Sequence, residues 1–305
     1  MSDLRAAVRD ATERLSLAGV PSPGPDAVAL AAHLLGVAPA EVRRRMVLGA
    51  PAPEGYAVLV AERAARVPLQ HLTGRVGFRR LVLEVGPGVF VPRPETECVA
   101  GWAVEAARAA PAGRGVAAGR VVGAEPVARA GAAGAGPVVV DLCTGSGAIA
   151  LAVKDEVPSA RVYAVELSDL AHAWALRNRD RLRLDVDLLL GDAATALPEL
   201  DGGVDVVVAN PPYIPPGAMP VDPEVRDHDP EVALYGGGPD GLRVPLAVAA
   251  RAAGLLRPGG VLVMEHADTQ GRTLPAALRR AGGWREVADR EDLTGRPRAV
   301  LATRA

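Results

Sequence analysis

The run Pro137-Val138-Val139-Val140-Asp141 passes without interruption into Leu142-Cys143-Thr144-Gly145-Ser146-Gly147 and then Ala148-Ile149-Ala150-Leu151. An unbroken β-branched run reads as a strand covered on both faces, as in parallel sheets. Gly145 and Gly147 then allow a tight turn and a close approach of backbone to a ligand. A strand, a glycine turn and a helix in that order commit the chain to further parallel strands with helices between them. The sequence that follows has that pattern. Strands are expected near 137–142, 161–166, 186–190, 204–209, 260–265, 284–289 and 297–303, and helices near 147–155, 169–181, 243–256 and 271–281. The predicted class is α/β, a doubly wound sheet of seven strands. Ligands of such sheets sit beyond the carboxyl ends of the strands.

A second buried run, Val206-Val207-Val208-Ala209, stops at Asn210-Pro211-Pro212-Tyr213. Proline has no N–H and cannot sit inside a central strand, so Pro211 and Pro212 end it sharply. The corner presents the Asn210 carboxamide, the Pro211 carbonyl and the flat ring of Tyr213, with Pro212 stiffening it. Two acceptors and an aromatic face suit the grip of a planar NH2 group. Asn210, Pro211 and Tyr213 are the candidate catalytic residues, and with Pro212 they form the candidate substrate-binding set.

Gly145-Ser146-Gly147-Ala148-Ile149-Ala150 matches the nucleotide fingerprint G-x-G-x-x-A. Glu166 ends the next strand, where a carboxylate can accept from two ribose hydroxyls. Asp192 and Ala193 follow the third strand, placed to reach an adenine edge. Nicotinamide dinucleotides and S-adenosylmethionine both fit this frame. Asp141 leans toward the second, because an acid just before the glycines suits an ammonium better than a pyrophosphate. The candidate cofactor residues are Asp141, Cys143, Thr144, Gly145, Ser146 and Gly147, then Glu166, Asp192 and Ala193, with Asn210 from the corner. Together with the corner they suggest methyl transfer to a planar nitrogen. Cys98 and Cys143 are the only cysteines, too few for a metal cluster or a disulfide framework, and no metal is expected.

Ahead of the sheet the spacing is helical. Leu4, Val8, Ala11 and Leu15 form one stripe, and Val28, Ala31, Ala32 and Leu35 another. Pro21-Ser22-Pro23-Gly24-Pro25 separates them as a rigid turn, with Asp26 as the expected cap of the second helix. A further helix is expected at 53–66. Val76, Phe78, Leu81, Leu83 and Val85 alternate as in a hairpin, followed by a turn at Gly86-Pro87-Gly88. The Ala- and Gly-rich stretch 111–136 lacks large side chains and reads as a flexible insert. The expected organisation is a helical domain at 1–74, a hairpin connector and loop at 75–97, and the sheet domain at 98–305 carrying the insert.

A formal net charge of −2 excludes a strongly basic nucleic-acid binder, although residues 1–80 hold eleven Arg against seven Asp or Glu. No apolar run reaches the roughly 20 residues of a membrane helix. The start, Met1-Ser2-Asp3-Leu4-Arg5, lacks the basic-then-apolar pattern of a signal peptide, so a cytoplasmic location is expected.

Asp141–Gly147, Asn210–Tyr213 and Val91-Pro92-Arg93-Pro94-Glu95-Thr96-Glu97 together resemble the release-factor glutamine methyltransferases of the HemK/PrmC type. So do Pro68-Leu69-Gln70-His71-Leu72-Thr73-Gly74, Glu224–Pro230, Ala233-Leu234-Tyr235-Gly236-Gly237 and Asp292-Leu293-Thr294-Gly295-Arg296. The resemblance spans nearly the whole chain, with two departures. Cys143 stands where glycine is more usual, and the 111–136 insert is longer than that pattern implies. The resemblance implies a Rossmann-like methyltransferase sheet with S-adenosylmethionine as donor. It implies as acceptor the glutamine of Gly-Gly-Gln in peptide-chain release factors, and the helical domain and the 75–97 connector are expected to dock that partner.

The corner itself does not separate a glutamine amide from the exocyclic amino group of adenine or guanine. A DNA or RNA base methyltransferase is the main alternative. That chemistry needs base flipping and phosphate neutralisation, and the chain shows no basic run interleaved with aromatics. A dehydrogenase would leave Asn210–Tyr213 unexplained. Arg93 is either an ion-pair partner of Glu95 or Glu97 or part of a substrate loop. Glu265 and His266 end another strand, with His266 either a base or a hydrogen-bonded structural residue.

Overall fold

The computed structural model describes residues 3–111, 124–125 and 136–305. The chain divides into two compact units, Met1–Arg75 with Val85–Pro87 and Met219–Asp229, and Val76–Glu84 with Gly88–Ala218 and Pro230–Ala305. The first holds five consecutive helices, α1 (Leu4–Leu17), α2 (Pro23–Leu35), α3 (Pro39–Val47), α4 (Tyr56–Ala64) and α5 (Leu69–Thr73). Leu4, Val8, Ala11 and Leu15 are all buried and cluster with Ala27, Leu30 and Ala31 of α2. Their three- and four-residue spacing puts them on one face of α1.

Helix α2 starts at Pro23, earlier than expected, because proline fits a first turn whose N–H groups have no helical partner. Asp26 is therefore not the cap. It is buried inside the first turn and accepts a 2.8 Å bond from Arg63 Nε. Arg63 Nη1 donates to Glu224 Oε1 at 2.7 Å, and Arg66 Nε donates to the same oxygen at 2.8 Å. Burial works to raise the Glu224 carboxyl, but the bonds from Arg66 and Arg63 hold it well below the usual carboxylate range. These pairs fix the 219–229 segment within the helical unit.

The hairpin β1 (Arg75–Phe78) and β2 (Leu81–Glu84), which enters the second unit at Val76, is followed by α6 (Thr96–Ala109). The strands that follow are β3 (Ala124–Glu125), β4 (Val138–Leu142), β5 (Arg161–Glu166), β6 (Val186–Leu190), β7 (Val204–Ala209), β8 (Leu256–Glu265), β9 (Trp284–Glu291) and β10 (Pro297–Arg304). Helices α7 (Ala148–Glu156) and α8 (Asp169–Leu182) join the early strands, and α11 (Arg243–Leu255) and α12 (Thr273–Ala281) the late ones. Between β7 and α11 lie the short α9 (Pro223–His228), which belongs to the first unit, and α10 (Glu231–Leu234).

The sheet order is β3-β6-β5-β4-β7-β8-β10-β9. Strands β6, β5, β4, β7 and β8 are parallel, and β10 runs antiparallel to both β8 and β9. All seven expected strands are present. The eighth, β3, pairs antiparallel with the β6 edge, Ala124 opposite Leu189. It falls within the stretch expected to be a flexible insert, most of which lies outside the described residues. Helix α6 is also additional to the expected elements, although Val99, Ala100, Ala103, Val104 and Ala107 form a buried stripe at helical spacing.

Successive side chains of β4 point to opposite faces, and both faces are covered. Val139 joins Val206 and Val208 in a core with α6 and α7. Val138, Val140 and Leu142 join Val207, Leu262 and Met264 in the core under α11 and α12. Chain connection reverses direction at β4, between β5 on one side and β7 on the other. This is the switch point at which open α/β sheets bind ligands.

Candidate functional site

Register places the two motifs side by side. Leu142 of β4 is opposite Val165 of β5 and Ala209 of β7, and Ala209 is opposite Met264 of β8. The residues that follow each strand therefore leave the same sheet edge on neighbouring strands, roughly 4.8 Å apart. In order along that edge come Asp192, Glu166, the turn 143–147, the corner Asn210–Tyr213, and Glu265.

The glycine turn is held by two carboxylates. Asp141 is fully buried, and its Oδ2 accepts from Thr144 Oγ1 at 2.6 Å and from the Ala150 N–H at 3.1 Å. Burial pushes its carboxyl up to about 7, against the lowering effect of those bonds. Glu166 Oε2 accepts the Gly145 N–H at 2.8 Å and Oε1 the Ser168 N–H at 2.9 Å. Each carboxylate oxygen has more than one acceptor position, so both can still receive a hydroxyl. Asp192 is exposed, with Oδ1 accepting from the Ala194 N–H at 2.8 Å, and Ala193 beside it is buried.

Cys143 has φ +69°, in the left-handed region that favours glycine. Burial and the nearby Glu166 and Asp141 carboxyls push its thiol up, which disfavours the thiolate. Gly147 sits at φ +84°, and a Cβ there would stand 2.9 Å from Leu151 Cδ1, so the Leu151 side chain would have to shift. Gly145, at φ +59°, has nothing within 4 Å of that position, so the backbone lies bare on its outer side. Asp141 Oδ1 and Ser146 Oγ are buried without a hydrogen-bond partner among the described residues. Bare turn backbone, orphaned polar atoms and a free-faced carboxylate fit an adenosine-type ligand carrying a cation. Asn178 supports the turn from α8. Its Nδ2 donates to Ser146 O at 3.0 Å and Glu84 O at 2.9 Å, and its Oδ1 accepts the Glu84 N–H at 2.7 Å.

At the corner, Pro211 is buried while Asn210 and Tyr213 are half-buried. The Tyr213 hydroxyl donates to Glu265 Oε1 at 3.4 Å and is pushed up by burial and by that carboxyl. Glu265 is itself pushed up to about 7 by burial, with Thr96 and Arg298 working to lower it. Ile214 continues the chain in a bridge, its N–H donating to Leu234 O at 2.8 Å and its carbonyl accepting from the Gly236 N–H at 3.0 Å.

Other candidates resolve as follows. The Arg93 guanidinium lies over the Phe90 ring at 5.1 Å, a cation–π arrangement. His266 is fully buried, with Nδ1 2.8 Å from Ala267 O and Nε2 2.9 Å from Asp289 Oδ1. Both ring nitrogens face protein groups. Asn178, Gln270 and Gly241 lie outside the residues singled out in the sequence, and Gly236 enters only within the Ala233–Gly237 motif; all four touch the backbone of the two motifs. Only the glycine run 236–238 offered a signal, and it does not say what approaches it.

Residues 6–74 match the family model described as PrmC N-terminal domain, and residues 139–219 one described as Methyltransferase domain. The release factor glutamine methyltransferase of Streptomyces coelicolor is 51% identical over 306 residues, covering 100% of this chain and 99% of its own. That of Mycolicibacterium smegmatis is 47% identical over 307 residues, with 100% and 99% covered. A 4-amino-L-phenylalanine/4-methylamino-L-phenylalanine methyltransferase of Streptomyces pristinaespiralis is 38% identical over 289 residues, with 94% and 91% covered. An end-to-end likeness at this level, together with a glycine turn and a proline corner on adjacent strand ends, places the chain in the release factor glutamine methyltransferase family.

Proposed function

We propose that the chain methylates the side-chain amide nitrogen of the glutamine in the Gly-Gly-Gln tripeptide of peptide-chain release factors, with S-adenosylmethionine as donor. The observation that carries this reading is the Leu142–Ala209 pairing, which sets the Asn210–Tyr213 corner beside the glycine turn. The activity named for the relatives supports it.

When bound, the donor supplies an intrinsically reactive methyl on a sulfonium. The chain's residues do the rest. Asp141 Oδ1 would hold the donor's ammonium, Glu166 its ribose hydroxyls and Asp192 its adenine. An amide nitrogen is a poor nucleophile because its lone pair is shared with the carbonyl. The Asn210 carboxamide oxygen and the Pro211 carbonyl accept from its two N–H bonds, which fixes the nitrogen and raises its electron density. Tyr213 packs on the flat amide. Fixing the amide nitrogen beside the donor site would supply a proximity effect of up to about 7–11 kcal/mol. No strong base is needed before attack, and the proton leaves afterwards to water or by way of Asn210.

The helical unit is the part we assign to docking the release factor, along with the 75–97 connector. Its exposed Leu17, Val47 and Leu48 offer apolar surface for a folded partner. A cytoplasmic site of action fits such a substrate, and no helix among the described residues is long and apolar enough to cross a membrane. Purified protein incubated with labelled donor tests the reading against release factor, tRNA, ribosomal RNA, DNA and 4-amino-phenylalanine. Label on the release factor glutamine alone is expected. Label on nucleic acid or on the free arylamine, with none on release factor, overturns it.

A further inference from the structure

The proline corner has few means of holding itself. Pro211 and Pro212 carry no N–H, so neither can be fixed by a backbone donor bond. One buried side chain, outside both motifs, takes hold of the corner just beyond them. Gln270 is 4% exposed, in the short turn after β8. Its Nε2 donates to Tyr213 O at 3.0 Å and to Asp240 O at 2.9 Å, and its Oε1 accepts the Ala267 N–H at 3.1 Å.

Three separate pieces of chain thus meet on one carboxamide. They are the corner, the glycine loop 236–241 and the end of β8. The glycine loop lies so close to the corner that only backbone fits between them. A Cβ on Gly236 would stand 2.6 Å from Pro212 O and 2.8 Å from Tyr213 Cα, and one on Gly241 would stand 2.2 Å from Tyr213 O. The other end of Tyr213 is held by Glu265 through the hydroxyl. Tyr213 is therefore gripped at both its carbonyl and its ring tip, from two positions of the same β8 terminus.

We propose that Gln270 is a positioning residue for the transfer, setting the Pro211 carbonyl and the Tyr213 ring through the Tyr213 carbonyl. Only a primary amide meets the geometry, since it brings two donors on one nitrogen and an acceptor on the same planar group. A glutamate of the same shape turns an oxygen toward two carbonyls. A methionine leaves both carbonyls without their donor. Either change lets the corner drift, and a displacement near 1 Å at a reacting centre costs on the order of 100-fold in rate. The donor side of the site shares none of these bonds.

The inference rests on the amide-transfer reading only for the identity of the acceptor, so the assay uses whichever acceptor the unaltered protein labels. Gln270→Met and Gln270→Glu are made in the full chain, and kcat, KM and donor affinity by calorimetry are measured for each. The expected result is a kcat at least tenfold lower in both variants with the donor Kd within threefold. In Gln270→Glu, kcat relative to the unaltered protein rises as pH is lowered, because a protonated carboxyl regains one donor. A kcat within threefold of the unaltered protein in a folded Gln270→Met overturns the proposal. So does a loss of donor affinity in step with kcat, or a failure of both variants to fold, either of which assigns Gln270 to general structure. If the unaltered protein labels an acceptor other than release factor, the amide reading fails and the Gln270 result still stands or falls by itself.

Discussion

At the scale of single residues, Asp141 serves the donor and Asn210 the acceptor in the proposed reaction. Asn210→Ala removes an acceptor for the substrate amide and leaves the glycine turn intact. Turnover is expected to vanish while donor affinity stays within about tenfold, or ~1.4 kcal/mol, checked by calorimetry beside a radiolabel assay. Asp141 behaves differently because its carboxyl is pushed up to about 7 by burial. A cationic ligand favours the ionised form, so binding below that value must expel a proton. Donor affinity should therefore weaken as pH falls from 8 to 6, and Asp141→Asn should flatten that dependence. A parallel slope in the variant would remove Asp141 from contact with the donor. The types and order of these two residues were readable in the sequence. Asn210 follows an apolar run and precedes two prolines, and Asp141 closes a run of valines before glycines. The orphaned Asp141 Oδ1 was not readable, since which oxygen the turn uses depends on the folded position of Thr144 and Ala150.

Asn178 shows how an element far along the chain shapes the turn. Helix α8 carries it against Ser146 O and both backbone groups of Glu84, so one carboxamide joins helix, turn and hairpin. Replacing it by alanine leaves three backbone groups short of this partner, and the buried one, Ser146 O, alone is worth about 1–3 kcal/mol. The expectation for Asn178→Ala is a lower melting temperature and a donor Kd raised by tenfold or more, with the kcat at saturating donor changed far less. Unaltered donor affinity in the folded variant would show that the turn holds its shape without α8. Strand and helix bounds were largely legible because period-two and 3.6-residue patterns are local. The expected 161–166, 186–190 and 204–209 strands coincide with β5, β6 and β7. Helix α6 escaped because its stripe is mostly alanine and valine, which mark a buried helical face weakly. Asp26 was misread as a cap since a proline two residues inside a helix looks, from sequence, like a turn before it.

For the molecule as a whole, the two raised carboxyls make stability depend on pH. Asp141 and Glu265 are each pushed up to about 7 by burial, above their unfolded values. The folded state then holds more protons than the unfolded state between about pH 4 and 7. Their contribution is fully present below the unfolded values and is lost as pH rises through 7. Each can change stability by up to about 1.4 kcal/mol per pH unit in that window. Thermal melts of the donor-free protein should rise on going from pH 8 to pH 6, and Glu265→Gln should remove part of that rise. An identical profile in the variant would show that Glu265 does not titrate there. The sequence by itself determined the strand ends, the glycine turn and the proline corner, since each follows from chain-local physics: apolar runs, positive φ and a missing N–H. Only the tertiary structure decided that β4 and β7 are neighbours, that Arg63 and Arg66 meet Glu224, and that Gln270 reaches Tyr213. Such contacts join residues scores of positions apart, and they depend on how layers close over a core, for which spacing along the chain carries no signature.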